Sequence, residues 1–112
     1  MFKAAILIKK KTIKIDQIDY SKLKYGQVLV KIIYSGVCRS QVMEYFGERG
    51  KDKYFPHLLG HEATGIVIDK HKSVKKVKVN DKVILTWIKS KGIDAEAHRF
   101  YKKSEIINSG KV

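Results

Sequence analysis

The pattern of apolar and polar positions along the chain is that of short strands joined by charged turns. Phe2-Lys3-Ala4-Ala5-Ile6-Leu7-Ile8 reads as a buried strand, and Thr12-Ile13-Lys14-Ile15-Asp16 alternates like a strand with one wet face. Lys9 to Lys11 between them are expected to form an exposed turn, and the polar segment Tyr20 to Gly26 a loop. Gln27 to Ser35 carries the strongest strand signal, being rich in β-branched residues, and it leads directly to Gly36 and Cys38. A short helix is expected over Gln41–Phe46, capped by Ser40 and closed by Gly47 in a left-handed conformation. Val42, Met43, Tyr45 and Phe46 would form its core-packing face. Glu48 to Lys53 reads as a surface loop, and Pro56 favours an extended Phe55 before it. Three more strands are expected over Glu62–Asp69, Val77–Val79 and Lys82–Ile88, the last two flanking a turn at Asn80-Asp81. The sum is a mainly β fold of five to seven strands.

Composition narrows the class. At 112 residues the chain is one domain or part of one, and its 44% hydrophobic content is that of a globular protein. A single cysteine excludes an internal disulfide framework and fits a reducing compartment. The longest apolar run near the N-terminus, Ala4 to Ile8, is too short for a signal sequence or a membrane span. A cytoplasmic protein without a membrane partner is expected. The net charge of +13 raises the question of a nucleic-acid partner. The cations, however, are 21 Lys and only 3 Arg, dispersed except at Lys9–Lys11 and Lys70–Lys82. Base reading and bidentate phosphate contact favour Arg, so this surplus reads as solvated surface. The positive field would also suit an anionic cofactor such as a dinucleotide.

The candidate chemistry lies in Gly60-His61-Glu62-Ala63-Thr64-Gly65 and, upstream, Cys38-Arg39-Ser40. Thiol, imidazole and carboxylate are the side chains zinc prefers. Each has a plain structural reading as well. A lone cysteine is usually a small hydrophobe, Ser40 can be only a helix cap, Arg39 a surface cation, and Glu62 a strand-start residue paired to a lysine.

Taken together, these landmarks resemble the zinc-containing alcohol dehydrogenases of the medium-chain dehydrogenase family. The resemblance rests on Gly36-Val37-Cys38-Arg39-Ser40, the Gly-His-Glu-x-x-Gly of residues 60–65, and Asn80-Asp81-Lys82-Val83, where the family usually has Gly-Asp-x-Val. It covers the chain from Met1 to about Trp87. It implies a GroES-like, partly open β-barrel with one or two short helices. Residues 1–88 would be the catalytic-domain core, and residues 89–112 the start of a lobe without the cysteines of a second, structural zinc. One catalytic zinc is therefore implied, held by Cys38 and His61, with Glu62 as a close or alternative ligand. The third protein ligand of the family, a Cys or Asp, falls outside these residues.

The resemblance further implies that Ser40 passes the substrate proton outward and that Arg39 contacts the cofactor pyrophosphate. Two positions depart from the family. Gln41 stands where an Asp usually orients the zinc-binding histidine, and His71 stands where a small residue is usual. No G-x-G-x-x-G occurs among the glycines at 26, 36, 47, 50, 60, 65, 92 and 110, so a nicotinamide dinucleotide, NAD(P), would be bound mainly by a Rossmann domain absent from this chain. The expected function is the N-terminal portion of a zinc-dependent alcohol or polyol dehydrogenase, acting on a small alcohol or carbonyl substrate within a homo-oligomer. The 112 residues alone are expected to be inactive, to hold zinc weakly, and to be least ordered over Lys89–Val112. Two alternatives come from other classes: a stand-alone, non-catalytic β-barrel binding module, and a small basic nucleic-acid-binding barrel.

Overall fold

A computed structural model describes residues 1–109. Its elements run β1 (Phe2–Lys9), β2 (Thr12–Tyr20), β3 (Val28–Ser35), α1 (Arg39–Phe46), β4 (His57–Leu58), β5 (Ala63–Lys70), β6 (Lys82–Leu85), β7 (Phe100–Lys102) and β8 (Glu105–Ile107). The expected mainly β class is what forms. The residues fall into two compact units: one takes in Met1–Ser21, Val37–Gly60 and the chain from His98 onward, the other Lys22–Gly36 and His61–Ala97.

The first unit holds a sheet of order β4-β1-β2-β7-β8, with every strand pair antiparallel. The lysine turn between β1 and β2 closes tightly, with Lys9 opposite Thr12 and Lys11 at a positive φ of 60°. It is pinned to α1, because Lys11 N–H donates to the Tyr45 carbonyl (2.9 Å) and the Tyr45 hydroxyl donates to the Lys11 carbonyl (3.1 Å). Ile6, Ile18 and Ile107 form the buried core, with Ala4, Leu58 and Phe100 packed against them.

Ile107 lies in the stretch expected to be least ordered. Instead, residues 100–107 form a hairpin on β2, pairing Asp19 with Tyr101 and Tyr20 with Phe100. Burial of Ile107, at 1% exposure, is what holds the hairpin in place. The last three residues of the expected 89–112 segment lie outside the described ones.

An ion pair joins the same two strands. Lys102 of β7 binds the Asp16 carboxylate of β2, and Lys14 stands 3.3 Å from it. The hydrogen bond from Lys102 is the main reason the Asp16 carboxyl is held down at about 2, with the Gln17 N–H contributing. A depressed carboxylate stabilises the fold fully above its unfolded value, and the effect is lost as pH falls through its folded value. Asp16→Asn is therefore expected to flatten the acid limb of the unfolding profile between about pH 4 and pH 2, and to lower stability above about pH 4 by the same amount, a small one because the pair is solvent-screened. Acid titration followed by circular dichroism checks it. An unchanged acid limb would show the pair to be idle.

The second unit holds the antiparallel sheet β3-β5-β6. Val67 is fully buried on β5 and Val74 nearly so in the turn that follows. His71, the unusual residue of that turn, is accommodated: its N–H donates to the Gln27 carbonyl (3.0 Å), and its Nδ1 lies 2.8 Å from the Ser73 hydroxyl. The Asn80-Asp81 turn forms as expected. Asn80 takes a positive φ of 76°, and Lys78 N–H donates to the Asp81 carboxylate at 2.8 Å. Val77–Val79, expected as a strand, is not one, and β6 stops at Leu85 rather than Ile88. The backbone of the 78–81 turn bonds to itself and to Val67 instead, which leaves residues 77–79 no ladder partner.

Gly65 explains the second glycine of the 60–65 motif. It is buried on β5, where a Cβ would lie 2.5 Å from both the Lys31 carbonyl oxygen and Val30 Cγ1 of β3. Backbone cannot swing aside as a side-chain tip can. Gly65→Ala is expected to cost about 3 kcal/mol, the upper end of overpacking penalties, read as a lower urea midpoint at constant slope. A loss under about 0.5 kcal/mol would show that the sheet relaxes around the methyl.

Candidate functional site

The sequence-predicted site residues divide between the units. Cys38, Arg39 and Ser40 belong to the first unit, and His61 and Glu62 to the second.

Cys38 is the N-cap of α1, which begins at Arg39 rather than Gln41. The expected cap, Ser40, is thus displaced into the first turn. Gln41 decides this. Its carboxamide oxygen accepts the Cys38 N–H at 2.8 Å, closing the reach-back half of a capping box. Gln41 is buried, so the residue standing in for the usual Asp has a local structural task. Gly47 closes the helix at φ 71°, as expected. Ser40 is half-buried and its hydroxyl makes no hydrogen bond to another described residue. Arg39 is exposed.

The face of α1 only partly matches the expected one, with Met43 and Tyr45 half-buried. Gln41 and Glu44 are its buried residues, while Val42 and Phe46 are 44% and 40% exposed. Position within the unit, not hydrophobicity, sets which stripe faces inward. Glu44 points toward His57, which is completely buried, and Asp52 joins them. Sequence reasoning overlooked these three. The only available sign was a histidine immediately after Pro56, which by itself carries no chemistry.

In the second unit, the His61 ring is half-buried and makes no hydrogen bond to another described residue, so both ring nitrogens keep their coordinating capacity. Gly60 before it takes a positive φ of 117°, a conformation that costs glycine little. Glu62 is exposed and folds over Gly36. Gly36 N–H donates to the Glu62 carbonyl (3.0 Å), and a Cβ on Gly36 would lie 2.5 Å from Glu62 Oε1. The glycine before Cys38 thus provides the space that the Glu62 side chain occupies. Thiol, imidazole and carboxylate are each zinc ligands in chemical type.

The described residues do not fit a nicotinamide dinucleotide. Every strand pair among them is antiparallel, no glycine-rich turn opens a helix after a parallel strand, and Arg39 is the one predicted contact. Among the described residues no helix is long and apolar enough to cross a membrane.

Comparison with known proteins agrees with the fold and the motif. The Alcohol dehydrogenase GroES-like domain family matches residues 24–107. The chain belongs to that family. It is 38% identical over 89 residues to an alcohol dehydrogenase of Geobacillus stearothermophilus, covering 79% of this chain and 26% of that protein. It is 36% identical over 74 residues to an S-(hydroxymethyl)glutathione dehydrogenase of Escherichia coli O1:K1 / APEC, covering 66% of this chain and 20% of that one. Among solved structures, zinc dependent alcohol dehydrogenase 2 from Streptococcus pneumonia in its apo form matches with TM-score 0.67 and 24% identity, covering 75% of this chain and 24% of the other. Alcohol dehydrogenase TADH from Thermus sp. ATN1 matches with TM-score 0.65 and 22% identity, covering 74% and 24%. The chain therefore spans about a quarter of the length of these relatives.

Proposed function

We propose that these residues form the zinc- and substrate-binding part of an NAD(P)-linked alcohol dehydrogenase. The observation that carries the reading is the sequence motif, Cys38-Arg39-Ser40 followed by Gly60 to Gly65, in a chain of the alcohol dehydrogenase GroES-like family. Cys38 and His61 would hold the ion, with Glu62 beside His61 in sequence as a neighbouring or alternative ligand. When bound, zinc supplies the Lewis acidity that eases loss of the alcohol proton. Ser40, with a hydroxyl uncommitted among the described residues, takes that proton and passes it outward. Arg39, one residue away, would meet an anionic pyrophosphate, and its exposure supports this.

Hydride transfer needs a dinucleotide-binding domain other than these 112 residues, in the same polypeptide or supplied separately, and the chain alone is inactive. Large exposed apolar side chains on the second unit, Tyr34 (76%), Ile84 (79%) and Trp87 (66%), support a further polypeptide covering it. A cytoplasmic location accords with the single cysteine.

The test is alcohol-dependent reduction of NAD⁺ or NADP⁺ by the chain joined to its dinucleotide-binding domain. Activity should vanish with a zinc chelator and return on adding zinc. Turnover indifferent to chelation would overturn the zinc reading, and no turnover with primary, secondary and polyol substrates would overturn the dehydrogenase reading and favour a non-catalytic binding module.

A further inference from the structure

We propose that Glu44, Asp52 and His57 form a second metal site, one that binds a divalent ion of the zinc or manganese class and ties α1 to the 52–58 segment. One ligand atom from each residue lies within 4.8 Å of the other two. The site is independent of Cys38 and His61, and it raises the expected ion count from one to two.

The hydrogen positions argue for a cation. His57 Nδ1 stands 2.7 Å from the Leu58 carbonyl oxygen, which can only accept, so this nitrogen carries the proton. Nε2 then faces two carboxylates, Asp52 Oδ2 at 2.9 Å and Glu44 Oε1 at 3.9 Å. A single proton on Nε2 can serve Asp52, but it leaves Glu44 Oε1 with nothing. That oxygen is buried and has no hydrogen-bond partner, on a side chain only 9% exposed. Buried carboxylate oxygens are normally satisfied, and an orphan aimed at an imidazole nitrogen marks where a positive charge belongs. A divalent ion would meet the Nε2 lone pair and both carboxylates at once.

The dimensions agree. Two donors at right angles, each about 2.1 Å from one ion, are about 3 Å apart, and opposed donors are about 4.2 Å apart. Tetrahedral donors are about 3.4 Å apart, so closing on an ion draws the Glu44 carboxylate in by on the order of an ångström, within the reach of side-chain rotation. An imidazole with two carboxylates suits zinc, manganese or cobalt better than magnesium or calcium.

The scaffold is rigid where it needs to be. His57 pairs with Leu7 through β4 and bridges Asn108, and its ring stacks on Phe55 with centroids 5.6 Å apart. Asn108 also donates from its side chain to the Tyr54 carbonyl (2.8 Å), and Leu58 N–H donates to the Asn108 carbonyl (2.9 Å). Nδ1–H donating to a backbone carbonyl is the arrangement that orients metal-bound histidines.

The experiment uses the whole 112-residue chain carrying Cys38→Ser and His61→Ala, so that no ion binds at the motif residues. Titration with Zn²⁺ and Co²⁺ alone should show one equivalent bound, a Co²⁺ spectrum without thiolate charge transfer, and a thermal midpoint that rises with metal. Glu44→Gln and Asp52→Asn, each with native circular dichroism, should weaken binding by about 10–100-fold or more, the scale seen even for partners outside the coordination shell. Mn²⁺ broadening of the His57 ring resonances, with other histidines unaffected, reads the same site without altering it and decides the matter where a substitution fails to fold. Absence of binding in the Cys38→Ser, His61→Ala chain overturns the proposal, as does binding that survives both substitutions or Mn²⁺ broadening that spares His57. The cluster is then a hydrogen-bonded network without a metal. Neither result bears on the dehydrogenase reading, whose own test uses turnover with Cys38 and His61 intact.

Discussion

If the proposed function holds, Cys38→Ala in the chain joined to a dinucleotide-binding domain is expected to lower kcat/KM on the order of 10³-fold or more, with loss of bound zinc. The Lewis-acid contribution of a catalytic metal is worth several kcal/mol, and about 1.4 kcal/mol is a factor of ten in rate. The fold should survive, because Cys38 lies outside the Ile6, Ile18 and Ile107 core and the Gln41 carboxamide bonds the Cys38 backbone rather than its sulfur. Zinc content by atomic absorption, alongside circular dichroism and steady-state rates, separates the effects. A variant that keeps zinc and turns over normally would remove Cys38 from the site. One that loses both zinc and fold would make it a structural cap.

Ser40→Ala should behave differently, lowering kcat about 10²-fold with zinc retained, the usual weight of a positioned proton-transfer group. A capping role no longer competes for Ser40, since the N-cap is Cys38 and the Ser40 hydroxyl makes no hydrogen bond to another described residue. A merely structural serine would change stability, whereas a relay changes the pH dependence of kcat. Ser40→Thr, which keeps the hydroxyl, should restore most of the rate. Unchanged turnover in Ser40→Ala would leave proton release to another group or to water.

Parts of the fold around the candidate site were legible because they are written in local sequence. Gly47 could be placed past the end of a helix because a left-handed residue is needed there. Asn80-Asp81 could be placed in a turn because these side chains bond to nearby backbone. The start of α1 was misplaced by two residues. Cysteine is not an expected cap, and the glutamine that reaches back to its N–H was read by analogy with an aspartate serving a histidine.

The sequence by itself determined the strands long enough to carry a period, β1, β2, β3 and β5, and the motif that assigns the chain to its family. Tertiary structure alone decided β4, β7 and β8. Two or three residues have no periodicity to read, and those strands exist only because β1 and β2 offer them backbone partners. The same holds for α1, whose buried stripe is polar. Glu44 is drawn inward not by its own hydrophobicity but by lying beside His57, thirteen residues away in the chain, and no local rule in a sequence records that neighbour.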